Sequence, residues 1–231
     1  ISLAGTSTFY GILSTTASAH THNIYNNSIN NIIGGSGTMY GIHRTIASGN
    51  IYNNSVFNFS GGGTVWGISC GSGNVSIYKN SVYNLSSASI GTTAGTVTGI
   101  YISGSTNTYI FNNFISDLKA PTCASTDAVR GIGSISTTAS SNIGLYYNTI
   151  YLNTSSTGLN FGSSGVFVTT STTSTSAALD MRNNIIVNNS TAVGTGLTVA
   201  YRRSSSSLTN YASASNNNNL FAANILYDGT T

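Results

Sequence analysis

Ile24-Tyr25-Asn26-Asn27-Ser28-Ile29 decides the fold, because it returns. It recurs as Ile51-Tyr52-Asn53-Asn54-Ser55-Val56 and Ile77-Tyr78-Lys79-Asn80-Ser81-Val82. Looser copies follow at Ile110–Ile115, Leu145–Ile150, Met181–Ile186 and Ser215–Leu220. One asparagine is common to all seven: Asn27, Asn54, Asn80, Asn113, Asn148, Asn184 and Asn218. By subtraction the spacings are 27, 26, 33, 35, 36 and 34 residues. A period in this range marks a solenoid, propeller or array.

A second motif alternates with the first. It is centred on Gly11, Gly41, Gly67, Gly99, Gly131, Gly165 and Gly196, each followed by Ile, Val or Leu. Each unit therefore holds at least two short strands joined by turns. Ile100-Tyr101-Ile102 and Val166-Phe167-Val168 carry the β-branched and aromatic residues strands favour. No stretch has the i, i+3, i+4 apolar period of an amphipathic helix.

The flanks of the common Asn give its role. The residue three before it is apolar in six copies, and the residue two after it in all seven. An odd separation of five breaks strict alternation, so the chain must bend, and Asn tolerates the left-handed backbone of a tight turn. Stacked copies would align their amides into an internal ladder at the strand spacing of about 4.8 Å. Four residues on, Asn31, Asn58, Asn84 and Asp117 form a partial second row, read as a less constrained turn. Beside Gly99 the inward parity switches from Val97 to Ile100 and Ile102, which a bend at glycine allows.

These paired motifs resemble the right-handed parallel β-helix repeats of pectate-lyase-like proteins. Their wording is also similar to large secreted surface proteins of gliding, Bacteroidetes-type bacteria. The resemblance spans about Phe9 to Tyr227 and implies a scaffold that hosts lyases, hydrolases, adhesins and passive stalks. The expected fold is all-β: a right-handed, single-stranded parallel β-helix of about seven coils, one domain over residues 1–231.

Composition narrows the function. Only 5% of the 231 residues are charged, with a formal net charge of +3, while 39% are hydrophobic. That is apolar surface enough to bury, so the chain is not disordered. Arg202-Arg203 is the one basic doublet, which gives no nucleic-acid footprint. No apolar run approaches the roughly 18 residues of a membrane span. The opening Ile1-Ser2-Leu3 lacks an initiator methionine and a leader, so the chain is read as a mature or excised segment. Cys70 and Cys123 are too few for a disulfide framework, and Cys70 is expected to point inward.

Candidate chemistry is thin. Glycoside hydrolysis needs two carboxyls about 5–9.5 Å apart. Asp117, Asp127, Asp180 and Asp228 occupy four different places in the repeat, and no two share a column on adjacent coils. Lyase chemistry needs a base beside an acid cluster, and Arg44, Lys79, Arg130 and Arg182 are equally scattered, each read as a solvated charge. His20 and His22 share a strand face, but the next coil offers Ala47 and Gly49, so no third metal ligand is expected. A threonine column beside an aromatic one does not make the flat array of an ice-binding face. The remaining candidate is an outward strip of Tyr10, Tyr40 and Trp66 on successive coils, where sugar rings could stack or where the rings simply stack on one another beneath a loop.

The expectation is a non-enzymatic structural or adhesive module of a secreted or cell-surface bacterial protein, without cofactor or metal. Its partners would be further copies stacked end to end, flanking domains or glycans. The alternative is a carbohydrate-binding or polysaccharide-degrading β-helix using the Tyr10/Tyr40/Trp66 strip.

Overall fold

The computed structural model describes residues 1–15, 20–45 and 48–229. The described chain winds as a parallel β-helix. Its strands fall into three all-parallel sheets, and each sheet takes every third strand in chain order over the first coils. The fourth coil shows the plan, with strands Val97–Ile102, Asn107–Phe111 and Phe114–Lys119. They belong in turn to a glycine sheet, a tyrosine sheet and a third sheet that follows the asparagine turn. The sheets hold eight, six and seven strands, so seven coils are followed by the first strand of an eighth. A coil thus has three strands, because the repeated motif straddles two of them: its Ile-Tyr half closes one strand and its Ser-Ile half opens the next.

The sharp turn between those strands divides its work between two asparagines. The left-handed backbone belongs to Asn26, Asn53, Lys79, Asn112, Tyr147, Asn183 and Asn217, with φ between 53° and 57°. The bend is therefore one residue earlier than the common Asn on which it was expected. Asn is favoured in this conformation, and Lys79 and Tyr147 pay about 1 kcal/mol for it. The common Asn is left free to turn its side chain inward.

There it builds a continuous ladder. Each Nδ2 donates to the Oδ1 of the next coil's asparagine, from Asn27 to Asn54 at 2.9 Å through to Asn184 to Asn218 at 2.8 Å. The backbone N–H of each donates to the same oxygen. The second Nδ2 proton reaches back to a carbonyl of the preceding coil, as from Asn80 to Ile51 at 2.9 Å. Asn54, Asn80, Asn113, Asn148 and Asn184 are buried, so these bonds form where water cannot replace them. Asn80→Ala strands the Asn54 amide and the Ile51 carbonyl. It should cost about 1–3 kcal/mol, and an unchanged denaturation midpoint would show the ladder to be energetically idle.

The partial second row is a bend inside the third sheet. Asn31, Asn58, Asn84 and Asp117 all have φ between 51° and 57°. The kink lets two residues three apart, such as Ile115 and Leu118, both point into the core. From the fifth coil the kink is gone, and Ile150 and Leu152 reach the core by plain alternation.

The glycine column is set by packing. A Cβ on Gly99 would lie 2.6 Å from the Gly131 carbonyl oxygen and 2.6 Å from Ile115 Cγ2. The same collision recurs with Ile29 at Gly11, Val56 at Gly41, Val82 at Gly67, Ile150 at Gly131 and Ile186 at Gly165. In each coil the glycine makes room for a γ-carbon of a β-branched residue in the third sheet. The seventh member is Ala200 rather than Gly196, since Val166 pairs with Tyr201 in register. Its coil carries unbranched-Cβ Leu220 two residues after the ladder Asn218, in place of Ile or Val. Gly196 lies in a loop, where a Cβ would meet the Phe161 carbonyl.

Inward side chains form the core, chiefly Ile, Val and Leu. One inward column departs from this rule: Arg44, Cys70, Ile102, Ser134, Val168 and Arg203 succeed one another in register. Arg44 is fully buried, not solvated as expected, and Arg203 nearly so. Burial pushes the Cys70 thiol up to about 12, with the Arg44 guanidinium pulling the other way. Cys70 and Cys123 are both free and buried.

Candidate functional site

Outward-facing aromatics stack along the helix axis. On the tyrosine sheet Tyr25, Tyr52, Tyr78 and Phe111 follow one another at 4.9, 5.0 and 4.8 Å, each pair within 3° of parallel. The spacing equals the distance between coils, so the ring planes lie across the axis and turn their edges outward. Tyr10 and Tyr40 stack in the same way on the glycine sheet, at 5.0 Å and 9°. Trp66 stands at 76° to Tyr40, stacks on Tyr101 at 4.0 Å and donates its Nε1–H to the Gly95 carbonyl at 2.9 Å. His43 packs against Tyr10 and Tyr40, and desolvation lowers its pKa. The Tyr10/Tyr40/Trp66 strip thus exists as a cluster whose ring faces are largely occupied by one another.

Loops cover the same sheet further along, and charges are buried there that the sequence presented as solvated. Arg130 Nε donates to Asp127 Oδ2 at 2.7 Å, and Arg202 Nε lies 3.4 Å from Asp127 Oδ1. Ser164 donates to Asp127 and receives the Arg202 Nε–H at 2.8 Å. The two guanidinium groups rest on the rings of Phe167 and Tyr227, 3.6 and 4.5 Å from their centroids. All three charged side chains are less than 10% exposed. Five elements are tied by this cluster, which leaves it no open face for a substrate.

The open chemistry lies on the tyrosine sheet. Tyr109, Gly144 and Asp180 share one outward column, and Phe111, Tyr146 and Arg182 the next. The aromatic stack ends at Phe111, because Tyr146 swings along its own strand over Gly144. A Cβ on Gly144 would meet that ring at 2.6–2.7 Å. The Tyr146 hydroxyl donates to Asp180 Oδ2 at 3.1 Å. Arg182 grips the same carboxylate as a fork, Nε to Oδ1 at 2.9 Å and Nη2 to Oδ2 at 2.6 Å. Burial and the Asp180 carboxylate both push the Tyr146 pKa up, so its proton stays on.

A cleft of about 390 Å³ results, walled by Tyr109, Tyr146, Asp180 and Arg182, with Asn142 at its edge and the small Ala178, Ala212 and Ala214 leaving it open. An outer amide ladder runs into it: Asn107 Nδ2 donates to Asn74 at 3.1 Å, and Asn142 Nδ2 to Asn107 at 2.9 Å. Ala178 stands opposite Asn142 on the next coil, so the ladder stops with the Asn142 carbonyl at the cleft. The sequence held one signal for this site, since Asp180 and Arg182 alternate on one strand face.

His22 Nδ1 lies 3.3 Å from Ser14 Oγ, while Ala47, which was expected beside His20, falls outside the described residues. Among the described residues no three His, Cys, Asp or Glu side chains gather as metal ligands. Among them, too, no helix is long and apolar enough to cross a membrane. A scan against family models and searches of curated proteins and solved structures found no match, and the reading of the site therefore rests on its own geometry.

Proposed function

We propose that the chain is a structural or adhesive β-solenoid module of a secreted or cell-surface bacterial protein, which presents a surface and turns over no substrate. One observation carries this reading: three of the four aspartates are each paired with a cationic side chain of the same chain. Asp127 is locked between Arg130 and Arg202, Asp180 is gripped by Arg182, and Asp117 pairs with Lys119 at 2.8 Å. Each is committed to a cationic side chain of its own fold, whereas glycoside hydrolysis by the usual route needs two carboxyls facing one substrate bond. On this reading the solenoid lengthens by further coils or by a second copy at its open sheet edges.

Activity assays test the proposal. The protein, incubated with uronate, glucan, mannan and galactan polymers, should release neither new reducing ends nor unsaturated uronates. Release of either at a rate proportional to protein concentration would overturn it.

A further inference from the structure

The cleft on the tyrosine sheet is more than a gap between side chains. Its two charges, Asp180 and Arg182, neutralise each other, so a charged ligand gains no net attraction there. What remains is a set of planar hydrogen-bonding groups and an aromatic wall. The carboxylate and guanidinium are coplanar forks held in fixed geometry by their own ion pair and by the Tyr146 hydroxyl. With the forks closed on each other, the two N–H of Nη1, the second N–H of Nη2 and the remaining lone pairs of the carboxylate are left for sugar hydroxyls, which carry a donor and an acceptor on each oxygen. The Asn142 carbonyl adds an acceptor where the outer amide ladder ends. Tyr109 is 40% exposed and adds an aromatic surface beside these groups. The volume of about 390 Å³ falls at the small end of ligand sites.

We propose that this cleft holds one uncharged pyranose unit of a glycan, with its hydroxyls engaged by Asp180, Arg182 and Asn142 and one ring face against Tyr109. The site differs from the Tyr10/Tyr40/Trp66 strip, where rings cover rings. It gives the adhesive reading a ligand and rests on that reading in treating the glycan as held rather than cleaved.

Calorimetry and saturation-transfer NMR on the whole chain test it, with cellotetraose, maltotetraose, mannotetraose and galactotetraose as probes and tetragalacturonate as the charged control. At least one neutral tetrasaccharide should bind, more tightly than tetragalacturonate. Tyr109→Ala and Arg182→Ala, both at partly exposed side chains, should each weaken it by about tenfold or more. Gly144→Ala removes no polar group but pushes the Tyr146 ring into the cleft, and should also abolish binding. Tyr10→Ala should leave it unchanged, and circular dichroism should show all four variants folded. Binding of none of the neutral probes, or binding lost in Tyr10→Ala and kept in Tyr109→Ala, would overturn the site. Binding that depends on Tyr109 but is accompanied by new reducing ends would keep the site and defeat the non-catalytic reading instead.

Discussion

Gly99→Val should destabilise the protein by about 4 kcal/mol, among the largest effects a single surface-neutral substitution can have. Two collisions add. The new Cβ meets Ile115 Cγ2 at 2.6 Å, and it meets the Gly131 carbonyl oxygen at the same distance. The first partner is a side chain that can be shortened. The second is backbone, fixed by the hydrogen-bonded neighbouring strand, and cannot yield without opening the sheet. The two parts can be separated. Gly99→Ala combined with Ile115→Leu copies the Ala200/Leu220 arrangement of the seventh coil and removes the offending Cγ2 methyl. That pair should recover part, but not all, of the loss of Gly99→Ala alone, read as the urea midpoint. Full recovery would mean that the carbonyl contact costs nothing; no recovery would mean that the β-branched partner is irrelevant to the glycine.

Asp127→Ala should be comparably severe, at about 3–5 kcal/mol. The cost comes less from the lost attraction than from what is left behind. Arg130 and Arg202 would each remain buried, with no carboxylate between them. Burying a charge without a partner is expensive, whereas removing all the charges together is not. Asp127→Ala/Arg130→Met/Arg202→Met should therefore be markedly more stable than Asp127→Ala alone. Hydrogen exchange locates the damage: in the single variant, strands Val129–Ser134, Ser163–Val168 and Thr198–Arg203 should lose protection, while Val65–Cys70 keeps it. Uniform loss along the solenoid, or a triple variant no better than the single one, would show that the cluster does not act as described.

These two sites mark where the sequence was legible and where it was not. The ladder asparagines could be read directly, since Lys79 and Tyr147 interrupt the preceding position while Asn80 and Asn148 persist. Which of the paired asparagines bends the chain could not, because both tasks suit the same amide side chain. The glycine column was readable for six coils. In the seventh, the loop segment Thr195-Gly196-Leu197 imitated the motif, while the true position held an alanine made tolerable by a leucine far along the chain. The sequence presented Arg130 as a solvated charge, and the structure buries it. Alternation could not show that loops fold over that face of the sheet and turn outside into inside. The cleft depended on one ring leaving its stack to lie over Gly144, which the repeat of the motif does not record.

The amide ladder has a direction. Every Nδ2 points toward the later coil and every Oδ1 toward the earlier one, from Asn27 to Asn218. Aligned amides polarise one another, so the row adds up to a vector down the axis rather than a set of separate bonds. Its early end offers a carbonyl and its late end an N–H. Two solenoids meeting late end to early end would extend the row, whereas two meeting early end to early end would set carbonyl against carbonyl. The interior thus gives the rod a polarity, and any fibre built from it would have a head and a tail.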